Sequence, residues 1–133
     1  MKSKFIGADK LVLYKTYSRK DVGYGGTRHS LMDINECEKI AFFNIDGEYA
    51  NRITKKGFIL NPREDLNNDQ LINKLRKCTT YLFLRNGNKG LYYYVGTSNY
   101  ACRHDENHLL LNLNTKVIPK EIINKLGGYQ SLP

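Results

Sequence analysis

The sequence predicts an α+β fold: a mostly antiparallel, strongly curved sheet or half-open barrel of five to six strands, with two short helices packed on or across it. Three observations carry this prediction. Short apolar runs, rich in aromatic and β-branched residues, recur between Gly, Asn and Pro punctuation. Only two segments, 68–78 and 119–126, space their apolar residues as a helix does. No internal repeat recurs at a period of about 20 to 50 residues, which excludes solenoids and propellers.

Leu11-Val12-Leu13-Tyr14, bounded by Lys10 and Lys15, reads as a first strand. Ser18 is placed to cap a short helical turn through Arg19, Lys20, Asp21 and Val22. Gly23, Gly25 and Gly26 then break regular structure, so residues 23–29 form a loop. Lys39 to Ile45 is a strand closed by the Asp46-Gly47 turn signal, and Phe58-Ile59-Leu60 is a shorter one stopped by Asn61-Pro62. In the first helix Asn68 or Asp69 caps, while Leu71, Ile72, Leu75 and Cys78 make one apolar stripe against Asn73, Lys74, Arg76 and Lys77. Thr79 to Arg85 is the strongest strand, turning through Asn86–Gly90 into Leu91-Tyr92-Tyr93-Tyr94-Val95. Leu109, Leu111 and Leu113 give one face of a further strand its apolar side chains. Pro119 opens the last helix, Ile122, Ile123 and Leu126 supply its stripe, and Gly127 ends it.

A chain of 133 residues corresponds to one domain, taken here as 1–133, long enough to build a core without disulfides or metal. Three cysteines without a CxxC pair point to a reducing compartment, and the cytoplasm is the expected location. The basic start of residues 1–10 lacks the apolar stretch of a secretory leader, because Asp9 and Lys10 interrupt it. Apolar runs such as Leu91 to Val95 are too short to span a bilayer, so no membrane partner is expected.

Charge is the most informative bias. Twenty-one Lys and Arg against thirteen Asp and Glu leave +8, with a pI near 9.4, which favours polyanionic partners. The excess sits at the two ends, net +5 over residues 1–28 and +3 over 79–133, while the middle is neutral.

Three clusters fit a nucleic-acid partner. In the 79–100 hairpin, alternation places Tyr81, Phe83 and Arg85 on one face and Leu82 and Leu84 on the other. Tyr92 and Tyr94 share a face in the return strand, beside Lys89 of the turn. Such rings either stack on bases, with the cations on phosphates, or form the core of a Trp-free protein. The second cluster is Tyr17, Arg19 and Lys20 followed by Tyr24 and Arg28 in the Gly-rich loop, whose backbone N–H groups suit a phosphate. It matches neither GxGxxG nor GxxxxGK[ST], and a solvated surface loop would read the same way. Arg52, Lys55 and Lys56 form the third, which otherwise is a plain solvated face.

Catalytic signals are thin. His104 and His108 flank Asp105 and Glu106 without the HExxH order of a zinc site, in a segment that reads as a loop. Cys102 beside His104 lacks a marked third group. No metal site and no cofactor are expected, and a small metal-dependent hydrolase is the minority reading.

The order of several segments resembles a known family. Tyr17-Ser18-Arg19-Lys20-Asp21-Val22 is followed by Ala41-Phe42-Phe43 and by Tyr49 in a polar stretch. Tyr81-Leu82-Phe83-Leu84-Arg85, Tyr92-Tyr93-Tyr94-Val95-Gly96 and Ile118-Pro119-Lys120-Glu121 complete the series. Across roughly residues 11 to 126 this resembles the uncharacterised domain at the C-terminal end of some superfamily-two helicases and in restriction-like defence proteins. It departs from the family at Phe58–Pro62, where the family carries a Trp-containing segment. The resemblance implies a nucleic-acid-associated accessory module, with Arg19 and Arg85 the matched bases. The expected function is therefore non-catalytic nucleic-acid binding, DNA ahead of RNA, with a further protein partner possible. The alternative is a protein- or nucleotide-binding inhibitor or adaptor of phage or mobile-element origin.

Overall fold

The computed structural model describes residues 4–114 and 118–129; the first three residues of the basic N-terminal stretch lie outside them. Its centre is a pair of strands buried on both sides. Glu38–Ile45 (β3) carries apolar residues at consecutive positions, and its neighbour Thr79–Asn86 (β6) does the same. The two pair in parallel over their whole length, from Glu38 opposite Thr79 to Ile45 opposite Asn86. Near-continuous apolar runs are what a parallel pair covered on both faces requires.

Outside this pair the first sheet is antiparallel. Leu31–Asp33 (β2) flanks β3, Tyr92–Ser98 (β7) flanks β6, and Thr16–Tyr17 (β1) lines the outer edge of β7, giving the order β1-β7-β6-β3-β2. Between β6 and β7 the register shifts: Leu82 faces Gly96 while Phe83 faces Tyr94, so Val95 is the extra residue of a bulge and Gly96 takes a φ of +117°. A second sheet of Arg52–Thr54 (β4), Gly57–Leu60 (β5), Tyr100–Arg103 (β8) and Leu109–Asn112 (β9) runs β4-β5-β9-β8, antiparallel throughout. The connection from β3 to β6 holds β4, β5 and Gln70–Lys77 (α1), the long crossover that parallel neighbours need.

The chain is thus α+β with mostly strands, but two sheets replace the expected single curved sheet or half-open barrel, and neither closes. The reason lies in side-chain alternation on the second sheet. Ile53, Phe58, Leu60, Ala101, Leu109 and Leu111 all point to one side and bury themselves against Ala41, Phe43, Ile45, Leu82, Leu84 and Val95 of the first. Two apolar faces meet across a layer; they do not continue edge to edge.

Both helices close this core. α1 contributes Ile72 and Leu75, and Lys74 reaches Asp33, which also holds the buried Lys39 ammonium. Of the two candidates read from sequence, Asp69 takes the N-cap position but makes no side-chain cap bond, while Asn68 Oδ1 accepts the Gln70 N–H at 3.0 Å in an Asx turn leading into the helix. Lys120–Lys125 (α2) follows Pro119 and brings in Ile122, Ile123 and Leu126. It ends in a Schellman-type turn, with the Gly128 N–H on the Ile123 carbonyl at 2.8 Å and Gly127 at a φ of +102°.

One predicted strand is absent. Leu11 to Tyr14 is a turn with Tyr14 at a φ of +68°, and the ladder starts only at Thr16. Val12 and Leu13 stay 57% and 42% exposed, so the run buries too little side chain to hold an extended edge. The Ser18 turn forms as expected, as a 3₁₀ turn over Lys20–Val22. Ser18 Oγ accepts the Asp21 N–H at 3.0 Å and the Asp21 carboxylate accepts the Ser18 N–H at 2.8 Å, a reciprocal capping box.

Candidate nucleic-acid interface

The opposite face of the first sheet carries the rings that the hairpin alternation grouped together. Ile40, Phe42, Tyr81, Phe83, Tyr92 and Tyr94 line it, as predicted for the last four. This face is not open. Residues 4–30 fold across it: Tyr17, Val22 and Tyr24 enter the cluster, with Phe5, Ile6 and Leu11 packed against it. Phe42 and Phe83 stack with centroids 5.0 Å apart, Tyr17 meets Phe83 edge-on at 6.0 Å, and Tyr94 lies 5.2 Å from Phe83.

Of the two uses read for the hairpin rings, stacking on bases or forming a core, the folded chain takes the second, and it buries Tyr17 and Tyr24 of the Gly-rich-loop cluster together with Tyr92 and Tyr94. They keep only 6%, 6%, 3% and 7% of their surface exposed, because the N-terminal segment covers the rings that alternation brought to one face. Their hydroxyls reflect the burial. Tyr17 accepts the Val12 N–H at 2.9 Å, and burial pushes the Tyr94 hydroxyl up to about 12. Burial, and then its hydrogen bond to Glu38, also raises Tyr81; the same bond, aided by Asn35, holds the Glu38 carboxyl below its ordinary value.

What reaches solvent at the margin of this cluster is charge. Arg85 places its Cζ 4.3 Å from the centre of the Tyr92 ring, and Arg19 lies 4.5 Å from Phe42 and 5.7 Å from Tyr92. Each guanidinium is pinned by its own bonds. Arg19 Nε donates to the Tyr92 hydroxyl at 3.3 Å, and Nη1 donates to Thr27 Oγ1 and to the His29 carbonyl at 2.8 Å. Arg85 Nε donates to Asn44 Oδ1 at 2.7 Å and Nη1 to the Gly90 carbonyl at 3.0 Å.

Two properties follow. Among the described residues, neither arginine has a carboxylate within ion-pairing distance, and neither Nη2 has a hydrogen-bond partner. The two guanidinium carbons also lie within about 10 Å of each other, since both flank one ring. Through these bonds Arg19 ties down the 23–29 loop and Arg85 the turn after β6. The exposed Arg28 and Lys89 sit on those same segments, and the exposed Lys20 directly follows Arg19. Two of the three sequence clusters thus converge on Tyr92.

The third does not join them. Arg52 lies on β4 and Lys55 and Lys56 on the β4–β5 turn of the second sheet. Arg52 is half-buried, with its Nε enclosed and unbonded among the described residues. Lys55 and Lys56 are exposed at the rim of a cleft of about 320 Å³ floored by Ile53, Phe58, Ile118 and Ile123.

Sequence reasoning missed the groups that hold the arginines: Phe42, Asn44, Thr27 and the carbonyls of His29 and Gly90. Only the parallel register, which sets Asn44 opposite Arg85, makes Asn44 a partner, and no local signal reports it. His108 is likewise committed to structure, with Nδ1 2.9 Å from Asp105 Oδ1 and Nε2 2.9 Å from the Tyr49 carbonyl. Burial works against ionisation of Asp105, but N–H bonds from Asn107 and the His108 contact outweigh it and lower its pKa. Among the described residues no three His, Cys, Asp or Glu side chains gather as a metal site, and no helix is long and apolar enough to cross a membrane. No protein-family model, curated protein or solved structure matches the chain.

Proposed function

We propose that the protein is a non-catalytic nucleic-acid-binding module, taking DNA in preference to RNA, and accessory to a helicase, restriction or defence system. The observation that carries this reading is the pair of pinned arginines around Tyr92, each with a free Nη2 and no acid to neutralise it among the described residues. A guanidinium held by its Nε and one Nη offers its remaining donor without paying rotamer entropy on binding. Lys20, Arg28 and Lys89 extend the positive edge on both sides. A cytoplasmic, reducing setting suits the three free cysteines, Cys37, Cys78 and Cys102.

The test is a binding titration of the full chain against duplex DNA, single-stranded DNA and RNA at two salt concentrations. Five phosphate contacts on a duplex lower the affinity by about two to three orders of magnitude between about 50 and 200 mM salt. Binding that ignores salt, or no binding to any of the three, overturns the proposal.

A second reading, an adaptor or inhibitor that docks an acidic protein surface or a nucleotide, draws support from the cleft beneath Lys55 and Lys56. Its apolar floor and cationic rim suit an aliphatic or aromatic group flanked by carboxylates. Lys55→Glu/Lys56→Glu separates the two: it abolishes such docking and leaves the Arg19–Arg85 edge intact.

A further inference from the structure

Resting on the nucleic-acid reading above, we infer that the Arg19–Tyr92–Arg85 edge engages the phosphodiester backbone alone, without stacking any base. The ligand class is a flexible or duplex polyphosphodiester, and recognition is blind to sequence.

The argument starts from what the edge presents. Proteins that hold single strands through their bases need exposed rings beside the cations. Here Tyr17, Tyr24, Tyr81, Tyr92 and Tyr94 are all buried, in contact with one another, with Phe42 and Phe83 or with residues 4–30. Tyr92 is occupied twice, its ring by Arg85 and its hydroxyl by Arg19. The exposed tyrosines among the described residues, Tyr100 and Tyr129, lie elsewhere: Tyr100 on β8 under Arg76, Tyr129 after α2. The rings of the edge therefore orient guanidinium groups and are themselves unavailable.

The donors left over match phosphate oxygens. Two guanidinium groups whose carbons lie no more than about 10 Å apart suit phosphates within two or three nucleotides of one strand, at about 3.4 Å rise per nucleotide. Base edges, by contrast, are read by bidentate side chains entering a groove, whereas here Arg19 has committed its Nε and both Nη1 hydrogens to the protein, and Arg85 its Nε and one of the two on Nη1.

The experiment compares the full chain's affinity for a single-stranded oligonucleotide and for its abasic counterpart of equal length, at one fixed salt concentration. The expected result is binding of the two within about threefold, with equal salt slopes. If bases stack, each is worth roughly 5- to 150-fold, and the abasic strand loses at least that much; such a loss overturns the inference while sparing the broader reading. Failure of both strands to bind overturns the inference, and if duplex DNA and RNA fail as well the broader reading falls with it. Arg85→Lys, which keeps charge and stem, is expected to weaken both strands equally, by about 3- to 10-fold. Should that variant fold poorly, the surface changes Arg28→Ala and Lys89→Ala serve instead, each expected to lower the salt slope by about 0.7 on a single strand. A variant that weakens the base-bearing strand alone overturns the inference.

Discussion

Asn44 faces Arg85 across the parallel pair of β3 and β6, and its Oδ1 accepts a hydrogen bond from the Arg85 Nε–H at 2.7 Å. One amide thereby fixes the orientation of a guanidinium that, among the described residues, otherwise rests on the Tyr92 ring and the Gly90 carbonyl. Asn44→Ala removes the acceptor without touching the cation. Freeing one long side chain costs about 0.5–1.5 kcal/mol on binding, so nucleic-acid affinity should fall about 2- to 10-fold with an unchanged salt slope. A changed slope would show that Arg85 had left the interface altogether.

Acidification should weaken the fold through two carboxylates. The Lys39 hydrogen bond holds Asp33 below its ordinary 3.8, and the Tyr81 hydroxyl, aided by Asn35, holds Glu38 below its ordinary 4.5. A depressed folded pKa contributes stability that is complete above the unfolded value and is lost as pH falls through the folded one. Denaturant midpoints should therefore be level above pH 4.5 and decline below it, as Lys39 loses its counter-charge. Glu38→Gln should make that decline shallower.

Alkali acts from the other direction. Burial raises Tyr94 from 10.0 to about 12, so its neutral hydroxyl favours the folded state below pH 10 and that advantage disappears between 10 and 12. The shift corresponds to roughly 2–3 kcal/mol at most. Stability measured against pH should drop over this window, and Tyr94→Phe should flatten the drop.

Gly23 and Gly26 both hold positive φ, +100° and +80°, yet their surroundings differ. A Cβ at Gly23 would sit 1.7 Å from the Lys4 carbonyl oxygen, whereas at Gly26 it meets open space. Gly26→Ala should cost only the left-handed backbone penalty, about 1–2 kcal/mol. Gly23→Ala must also displace residues 4–6 from the aromatic face, so hydrogen exchange there should accelerate in this variant and not in the other.

Phe83 touches Tyr17, Phe42 and Tyr94 and is fully buried. Phe83→Ala should cost about 3–5 kcal/mol in chemical denaturation. Tyr100→Ala, at an exposed ring, should cost about 1 kcal/mol or less. Comparable losses would mean the aromatic face is not a core.

Much of this was legible in the chain itself. Period-two alternation separated Tyr81, Phe83 and Arg85 from Leu82 and Leu84, apolar spacing and the Asn68-Asp69 pair located α1, and Ser18 marked its turn, because each depends on residues within a few positions of one another. Only the folded chain decided what covers each face. Alternation reports that a surface is apolar; it carries no information on whether water, a second sheet or residues 4–30 will lie over it. The pairing of β3 with β6 across residues 46–78 is equally non-local, and it is this pairing that turns Asn44 into the partner of Arg85 and the tyrosines into a buried scaffold for two arginines.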